Sequence, residues 1–253
     1  MNDTHTLTLE ELPEMSGIQP GLRNGRSVRD GYVRGWGLEF GDLANRIRSD
    51  PLYREAFEMA AGRTLVSETR RMNLFLLIKF FLPRLGAGNI VEFGAYKGGN
   101  AAFMAHVARR VMPGTRVFAL DTFTGMPATD SSVDAHSGGD FGDASLREVQ
   151  KFVDARGLDN LALVPGRFED TARDLVARHG PFTLAHIDCD IYSAVACAYE
   201  TVRNAMQPGS YIVFDDATTS SCIGATEAVE QLVIRRDGLC SEQVYPHFVF
   251  RAP

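Results

Sequence analysis

Four aspartates carry most of the chemistry this chain could perform. Asp188 and Asp190 follow the apolar run Pro181 to Ile187, and Asp215 and Asp216 follow Gly209 to Phe214. Each run is short and apolar, the pattern of a buried parallel strand. If the two strands are neighbours, their ends converge and Asp188, Asp215 and Asp216 share one small site. Carboxylates so crowded repel one another unless they are protonated or neutralised by a cation. An all-oxygen donor set suits Mg²⁺, with Ca²⁺ or Mn²⁺ as alternatives, rather than Zn²⁺. A divalent ion held there can bind two adjacent hydroxyls and lower the pKa of one. A neighbouring carboxylate then serves as base: Asp188 as ligand and base together, with Asp190 and His186 as lesser candidates. Each has a structural alternative. Asp190 reads slightly better as the N-cap of a helix starting at Ile191. His186 reads as a hydrogen-bonded structural histidine, and Asp215-Asp216 as a solvated turn pair.

A sheet must position these side chains. Asn89 to Phe93 is an apolar run ending in Glu92-Phe93, Gly94, Gly98 and Gly99 make a turn, and Asn100 to Val111 has helical spacing. Strand, glycine turn and helix open a doubly wound α/β sheet, which binds ligands at the carboxyl ends of its strands. Further strands are expected at Thr115 to Leu120, Asn160 to Val164, Pro181 to Ile187 and Gly209 to Phe214. Helices are expected at Ala144 to Arg156, Tyr192 to Met206 and Gly224 to Arg236. A last hairpin pairs Leu239 to Tyr245 with Phe248 to Arg251. The polar stretch Asp121 to Asp143 is long for a loop inside a domain, and such loops are usually functional or mobile.

Upstream, Leu43 to Ala61 reads as one or two helices with Pro51 in a first turn. Ser67 reads as the N-cap of a long helix that Pro83 and Gly86 to Gly88 terminate. Residues 1–30 read as a loosely ordered arm, and residues 31–40, with Trp36, as an aromatic segment packed on the domain. The expected division is residues 1–66 as arm and helical cover and 67–253 as the main domain.

The net charge of −6 over 253 residues gives no support for nucleic acid or anionic membrane as partner. No signal peptide or transmembrane run stands out, and Leu74 to Leu82 is too short to span. Cys189, Cys197, Cys222 and Cys240 show neither metal spacing nor a disulfide framework, which fits a cytoplasmic protein.

The glycine turn narrows the ligand. A dinucleotide site needs G-x-G-x-x-G, but Tyr96 occupies the middle position and Glu92 adds negative charge. The spacing E-x-G-x-x-x-G, Glu92 to Gly98, resembles instead motif I of class I S-adenosylmethionine (SAM)-dependent methyltransferases. SAM is a phosphate-free cation, compatible with an acid here. Asp121, at the end of the second strand, can accept both ribose hydroxyls, and Phe168 can pack on the adenine or in the core.

Five motifs together resemble the macrocin O-methyltransferase family of metal-dependent sugar O-methyltransferases. They are S-x-x-R-x-x-N-L at Ser67, V-E-F-G-x-x-x-G-G at Val91, D-T-F-x-G-x-P at Asp121, H-I-D-x-D-x-Y at His186 and P-G-x-Y-I-x-x-D-D at Pro208. The resemblance implies a Rossmann-like fold, with a seven-stranded mostly parallel sheet, helices on both faces and an N-terminal helical cover. It implies SAM contacts from Ser67, Glu92, Gly94, Tyr96, Gly98, Asp121, Thr122, Phe168 and Asp188. It also implies a metal on Asp188, Asp215 and Asp216, and methylation of a deoxysugar hydroxyl, a nucleotide-activated rhamnose-type unit, in natural-product biosynthesis. A homo-oligomer is expected, because a neighbour can supply the cover. One departure is Ala217, where the family usually has Tyr. The competing readings are a catechol-type phenolic O-methyltransferase, which would want a lysine where Ile191 stands, and a non-catalytic SAM-fold binding protein.

Overall fold

The structure, a computed structural model, describes residues 22–23, 26–27 and 42–253. The aromatic segment 31–40 with Trp36, and most of the arm 1–30, lie outside the described residues. The chain divides into two compact units, residues 1–54 and 55–253. In the first, Leu22–Arg23 pairs antiparallel with Arg26–Ser27, and α1 spans Asp42–Ser49. Helix α2, Pro51–Met59, crosses the division. Pro51 takes its first position as expected, and the Asp50 carboxylate accepts the Leu52 N–H at 3.0 Å.

The division falls upstream of the expected boundary at residue 66. Residues between the two points are fastened to the second unit: the Arg63 carbonyl accepts the Gly99 N–H at 3.1 Å, and its guanidinium lies 4.3 Å from the Phe152 ring centroid. Helix α3, Glu68–Leu76, starts as expected at Ser67, whose hydroxyl accepts the Arg70 N–H. It continues through a π turn at Leu77–Phe81 and a 3₁₀ turn at Leu82–Arg84, where Pro83 ends it.

The sheet has seven strands: β1 (Asn89–Phe93), β2 (Val117–Asp121), β3 (Leu161–Pro165), β4 (Phe182–Ile187), β5 (Met206–Phe214), β6 (Ser241–Gln243) and β7 (Phe248–Arg251), in the order β3-β2-β1-β4-β5-β7-β6. The pairings from β3 to β5 are parallel. Strand β7 enters antiparallel to β5 and pairs antiparallel with β6. The crossover helices are α4 (Gly99–Val111), α5 (Leu146–Ala155), α6 (Phe168–His179) and α7 (Tyr192–Val202). Helix α8, Ile223–Ala228, continues as a π-helix to Arg236. Every residue of β4 is buried, which is why that strand reads as an unbroken apolar run rather than an alternation.

The elements differ from the sequence reading in several places. Helix α7 ends at Val202 and Met206 already begins β5, because Met206 pairs in register with Phe182. Helix α6 occupies a stretch for which only Phe168 was singled out. Strand β6 is shorter than the expected Leu239 to Tyr245.

The order of strands reverses between β1 and β4, and there the Gly94 turn passes close to the backbone of Asp188. A Cβ on Gly94 would sit 1.6 Å from the Asp188 carbonyl oxygen, and φ is +94°. Only glycine fits. Gly94→Ala should cost about 3 kcal/mol or more in urea denaturation. The control Gly62→Ala, at φ +70° with open space around it, should cost only about 1–2 kcal/mol. Equal costs would show that the contact at Gly94 is unimportant.

Candidate active site

A cavity of about 260 Å³ opens over this crossing point. Its wall includes Arg70 from α3, Gly94 and Tyr96 after β1, Asp121 and Thr122 after β2, Phe168 of α6, Asp188 and Asp190 after β4, and Asp215 and Asp216 after β5. The long loop after β2 contributes Met126, Pro127, His136 and Phe141.

The carboxylates converge. One oxygen each from Asp188, Asp215 and Asp216 lies within 4.8 Å of the others. Asp215 and Asp216 are buried and Asp188 half-buried. Asp215 is the most supported: Arg70 Nη1 donates to it at 2.7 Å, and His186 Nε2 and His247 Nδ1 lie at 3.3 Å and 3.1 Å. Burial alone would raise its pKa, but the two histidines hold it well below the usual carboxylate range. Burial and the neighbouring carboxylates drive Asp188 well above its ordinary value. The same causes push Asp216 up to about 8. Asp190 is raised, chiefly by burial.

The donor set fits a hard divalent cation. It is all oxygen, and the crowding that raises Asp188 and Asp216 is what a cation relieves.

His186 stands behind the carboxylates. It is fully buried, with Nδ1 3.1 Å from Glu92 Oε1 and Nε2 facing Asp215. Burial would depress its pKa, but hydrogen bonds to Asp215 and Glu92 outweigh this and push it up to about 9. Glu92 and His186 are register partners on β1 and β4, which explains the contact. Both ring nitrogens are engaged and His186 does not line the cavity, so it does not stand as a base there. It fits the structural alternative.

Asp190 is not a helix cap. It adopts φ 61°, and the N-cap of α7 is Ile191. The Tyr192 N–H is accepted instead by Asp134 of the long loop at 2.8 Å. This turn tips the Asp190 side chain onto the cavity wall, while its N–H donates to Asp216 Oδ2 at 3.0 Å.

The other candidates divide. Asp121 lines the cavity and accepts the N–H groups of Tyr96 and Phe123, each at 2.7 Å. Thr122 lines it too, its hydroxyl donating to the Gly125 carbonyl at 2.7 Å. Phe168 lines the cavity, and its ring meets Phe93 edge-on at 5.3 Å, as the core reading expects. Tyr96 lines the wall, with its hydroxyl on Asp143 at 2.6 Å. Glu92, Gly98 and Ser67 are not on the wall. Glu92 is fully buried behind the turn, bonded to Asn100 Nδ2 at 2.6 Å. Gly98 is the left-handed N-cap of α4, and Ser67 is exposed at the start of α3.

The sequence assigns no role to His247 or His136, and Asn73 enters only as a position of the S-x-x-R-x-x-N-L motif. His247 is fully buried, its Nε2 2.9 Å from Asn73 Nδ2. Burial holds its pKa down. The signal was a lone histidine between Pro246 and the apolar Phe248 to Phe250. Arg70 is visible within the S-x-x-R motif, but its pairing with Asp215 is not.

A family model described as Macrocin-O-methyltransferase (TylF) matches residues 56–234. A curated relative is the 8-demethyl-8-(2,3-dimethoxy-alpha-L-rhamnosyl)-tetracenomycin-C 4'-O-methyltransferase of Streptomyces olivaceus. It is 28% identical over 173 residues, 64% of this chain and 66% of that protein, so the chain spans just under two thirds of its length. The O-methyltransferase NovP has a similar solved structure, at TM-score 0.64 and 21% identity over 83% of this chain and 94% of that one. The calicheamicin methyltransferase CalS11 aligns at TM-score 0.61 and 20% identity, over 83% of this chain and 90% of that one. These structures share the Rossmann-like methyltransferase fold.

The charge arrangement predicts how stability depends on pH. His186 rises from about 6.5 unfolded to about 9 folded, so its contribution is complete below about 6.5 and is lost as pH rises through 9. Asp216, raised to about 8, has the same sign, its contribution lost as pH rises through 8. Asp215, held low, is the opposite and matters only in acid. Chelator-treated protein should therefore melt roughly 3–10 °C lower at pH 9 than at pH 6, and Mg²⁺ should recover most of the difference. A pH-independent midpoint in differential scanning fluorimetry would contradict this charge assignment.

Proposed function

Since the chain belongs to the macrocin-O-methyltransferase family, we propose that it transfers the methyl of SAM to a hydroxyl of a deoxysugar, with a divalent cation on Asp188, Asp215 and Asp216. The observation that carries this reading is the convergence of those three carboxylates within 4.8 Å, on a cavity that also holds Asp190 and the glycine turn.

The cavity suits a cationic adenosyl ligand. Asp121 retains lone pairs on both carboxylate oxygens for ribose hydroxyls, since each accepts one N–H. Phe168 supplies an aromatic face for the adenine, and Tyr96 and Thr122 flank it. Behind the turn, Glu92 Oε2 and Asn100 Oδ1 are buried without a hydrogen-bond partner. An ammonium, or a water bridging to one, would satisfy them. Ser67 and Gly98 act in this reading through the turns they hold.

When bound, SAM supplies a methyl activated by its sulfonium, and the divalent ion supplies a positive centre that lowers the pKa of a sugar hydroxyl. The protein does the rest. Asp190, raised by burial and tipped onto the wall by its left-handed turn, is the better placed base. Its carboxylate takes the hydroxyl proton, and the freed oxygen is left to bond the methyl carbon. Asp188 is the alternative base, but in this reading it would hold the cation. Arg70, His186 and His247 keep Asp215 ionised so that the cation has a fixed anionic anchor.

The relatives support a sugar acceptor. The Streptomyces olivaceus protein is named for a rhamnosyl 4'-hydroxyl on tetracenomycin. One CalS11 structure is titled a TDP-rhamnose 3'-O-methyltransferase. A rhamnose-type sugar, on a nucleotide or on an aglycone, is the common element. A cytoplasmic homo-oligomer completes the reading. The free cysteines suit a reducing compartment, and Leu65, 70% exposed on the cavity wall, offers a neighbour apolar surface to cover.

Calorimetry with SAM and S-adenosylhomocysteine, then methyl-transfer assays on nucleotide-rhamnose and rhamnosylated aglycones, test the proposal. Chelation or Asp188→Asn should lower kcat/KM by roughly 10² or more. Asp190→Asn should lower kcat by roughly 10²–10⁴ while SAM affinity holds. Full activity in Asp190→Asn would remove it as the base, and absence of adenosyl binding would overturn the whole reading.

A further inference from the structure

On the side of the cavity formed by the long loop and α8, a second group of ligating atoms meets. His136 Nε2 lies 3.7 Å from Asp190 Oδ1 and 3.7 Å from Cys222 Sγ. Cys222 Sγ lies 3.4 Å from Asp190 Oδ1. These three atoms are mutually within the reach of one ion. Zinc at its usual bond lengths gives tetrahedral edges of about 3.3–3.6 Å between N, O and S ligands. The observed triangle is close to that size.

The histidine is also prepared. Its other nitrogen, Nδ1, lies 3.1 Å from Asp140 Oδ2, and the same carboxylate oxygen accepts the Ser137 N–H at 3.0 Å. A proton on Nδ1 donated to Asp140 leaves the Nε2 lone pair facing Asp190 and Cys222. Carboxylate, histidine and metal in sequence is the usual way a ligating imidazole is oriented. The ring of Phe141, 5.6 Å away, limits its rotation.

We propose that His136, Asp190 and Cys222 form a second metal site, selective for a softer divalent ion of the zinc type. All three residues line the cavity, so an ion held by them would border that space. Donor chemistry separates this site from the carboxylate cluster: thiolate and imidazole favour Zn²⁺ or Co²⁺, whereas oxygens alone favour Mg²⁺. On binding, the metal–sulfur bond replaces the S–H bond of Cys222 and the proton leaves to buffer. Because Asp190 is the base in the reading above, an ion here withdraws that base. The consequence rests on that reading and makes zinc an inhibitor, while the site itself does not depend on it.

Cobalt titration of the full chain, stripped of metal and then saturated with Mg²⁺, reads the site without SAM or acceptor. The expected result is intense tetrahedral cobalt absorption with a thiolate-to-cobalt charge-transfer band, saturating at one equivalent. Cys222→Ser should abolish the charge-transfer band, whereas Cys240→Ser, at an exposed position, and Asp188→Asn should retain it. X-ray absorption on the zinc-loaded wild-type protein needs no variant and should show one sulfur at about 2.3 Å. Cobalt binding without the band, a band that survives Cys222→Ser, or zinc with only nitrogen and oxygen neighbours would each overturn the proposal. If the methyl-transfer assays fail while the band is present, the function reading falls and the metal site stands.

Discussion

The negative charge of Asp215 is the interaction on which the site depends. A carboxylate with 1% exposure would ordinarily take up a proton, because burial penalises the anion. Here it is surrounded by an arginine from α3, a histidine from β4 and a histidine from the turn before β7. Three distant parts of the chain are thus tied to one oxygen pair. The helix before the sheet, the central strand and the final hairpin all meet at the carboxyl end of β5. Removing one partner leaves a buried charge uncompensated, which usually costs more than the pair contributes.

Around this anchor the charge falls away in steps. Asp215 stays ionised, Asp216 and Asp188 are pushed toward the neutral form by burial and by the neighbouring carboxylates, and Asp190 is raised chiefly by burial. Such a gradient sets an ionised carboxylate beside carboxylates with raised proton affinity, the pairing that the proposed hydroxyl activation uses. Backbone strain is concentrated in the same place. Tyr96, Phe123, Phe141 and Asp190 all have positive φ, and three of them line the cavity. Each costs of order 1 kcal/mol or more, and tertiary contacts hold them: Asp121 grips the amides of Tyr96 and Phe123, and Asp216 grips that of Asp190.

The long loop after β2 is ordered through its own polar side chains. The Thr129 hydroxyl donates to the His136 carbonyl, and Asp134 accepts the Asp130 N–H at 3.2 Å and caps α7. The loop therefore brings His136 and Phe141 to the cavity while fixing the start of the helix that follows Asp190. Loop and helix are joined by the Asp134 bond to the Tyr192 N–H, two residues after Asp190.

Much of this was legible in one dimension. Strand β4, buried throughout, and β1, buried from Ile90 onward, announced themselves as apolar runs, the Gly94 turn by its spacing, and the three carboxylates by their position after two such runs. Those features are local: the period of a strand, the φ a glycine permits and the residue after the last sheet hydrogen bond are set by near neighbours. What the sequence did not disclose is pairing across the fold. Asp190 reads as a cap because aspartate before a helix usually is one, yet Asp134, 56 residues earlier, took that role and freed Asp190 for the cavity. His186 and Glu92 became partners through strand register, His247 reached Asp215 only because β7 inserts beside β5, and His136 met Cys222 only because a loop folds over α8. The sequence by itself determined the strand–turn–helix units and the carboxylate-bearing ends. Tertiary packing decided which charge faces which, because hydrogen bonds and desolvation depend on distances of a few ångströms between residues far apart in the chain.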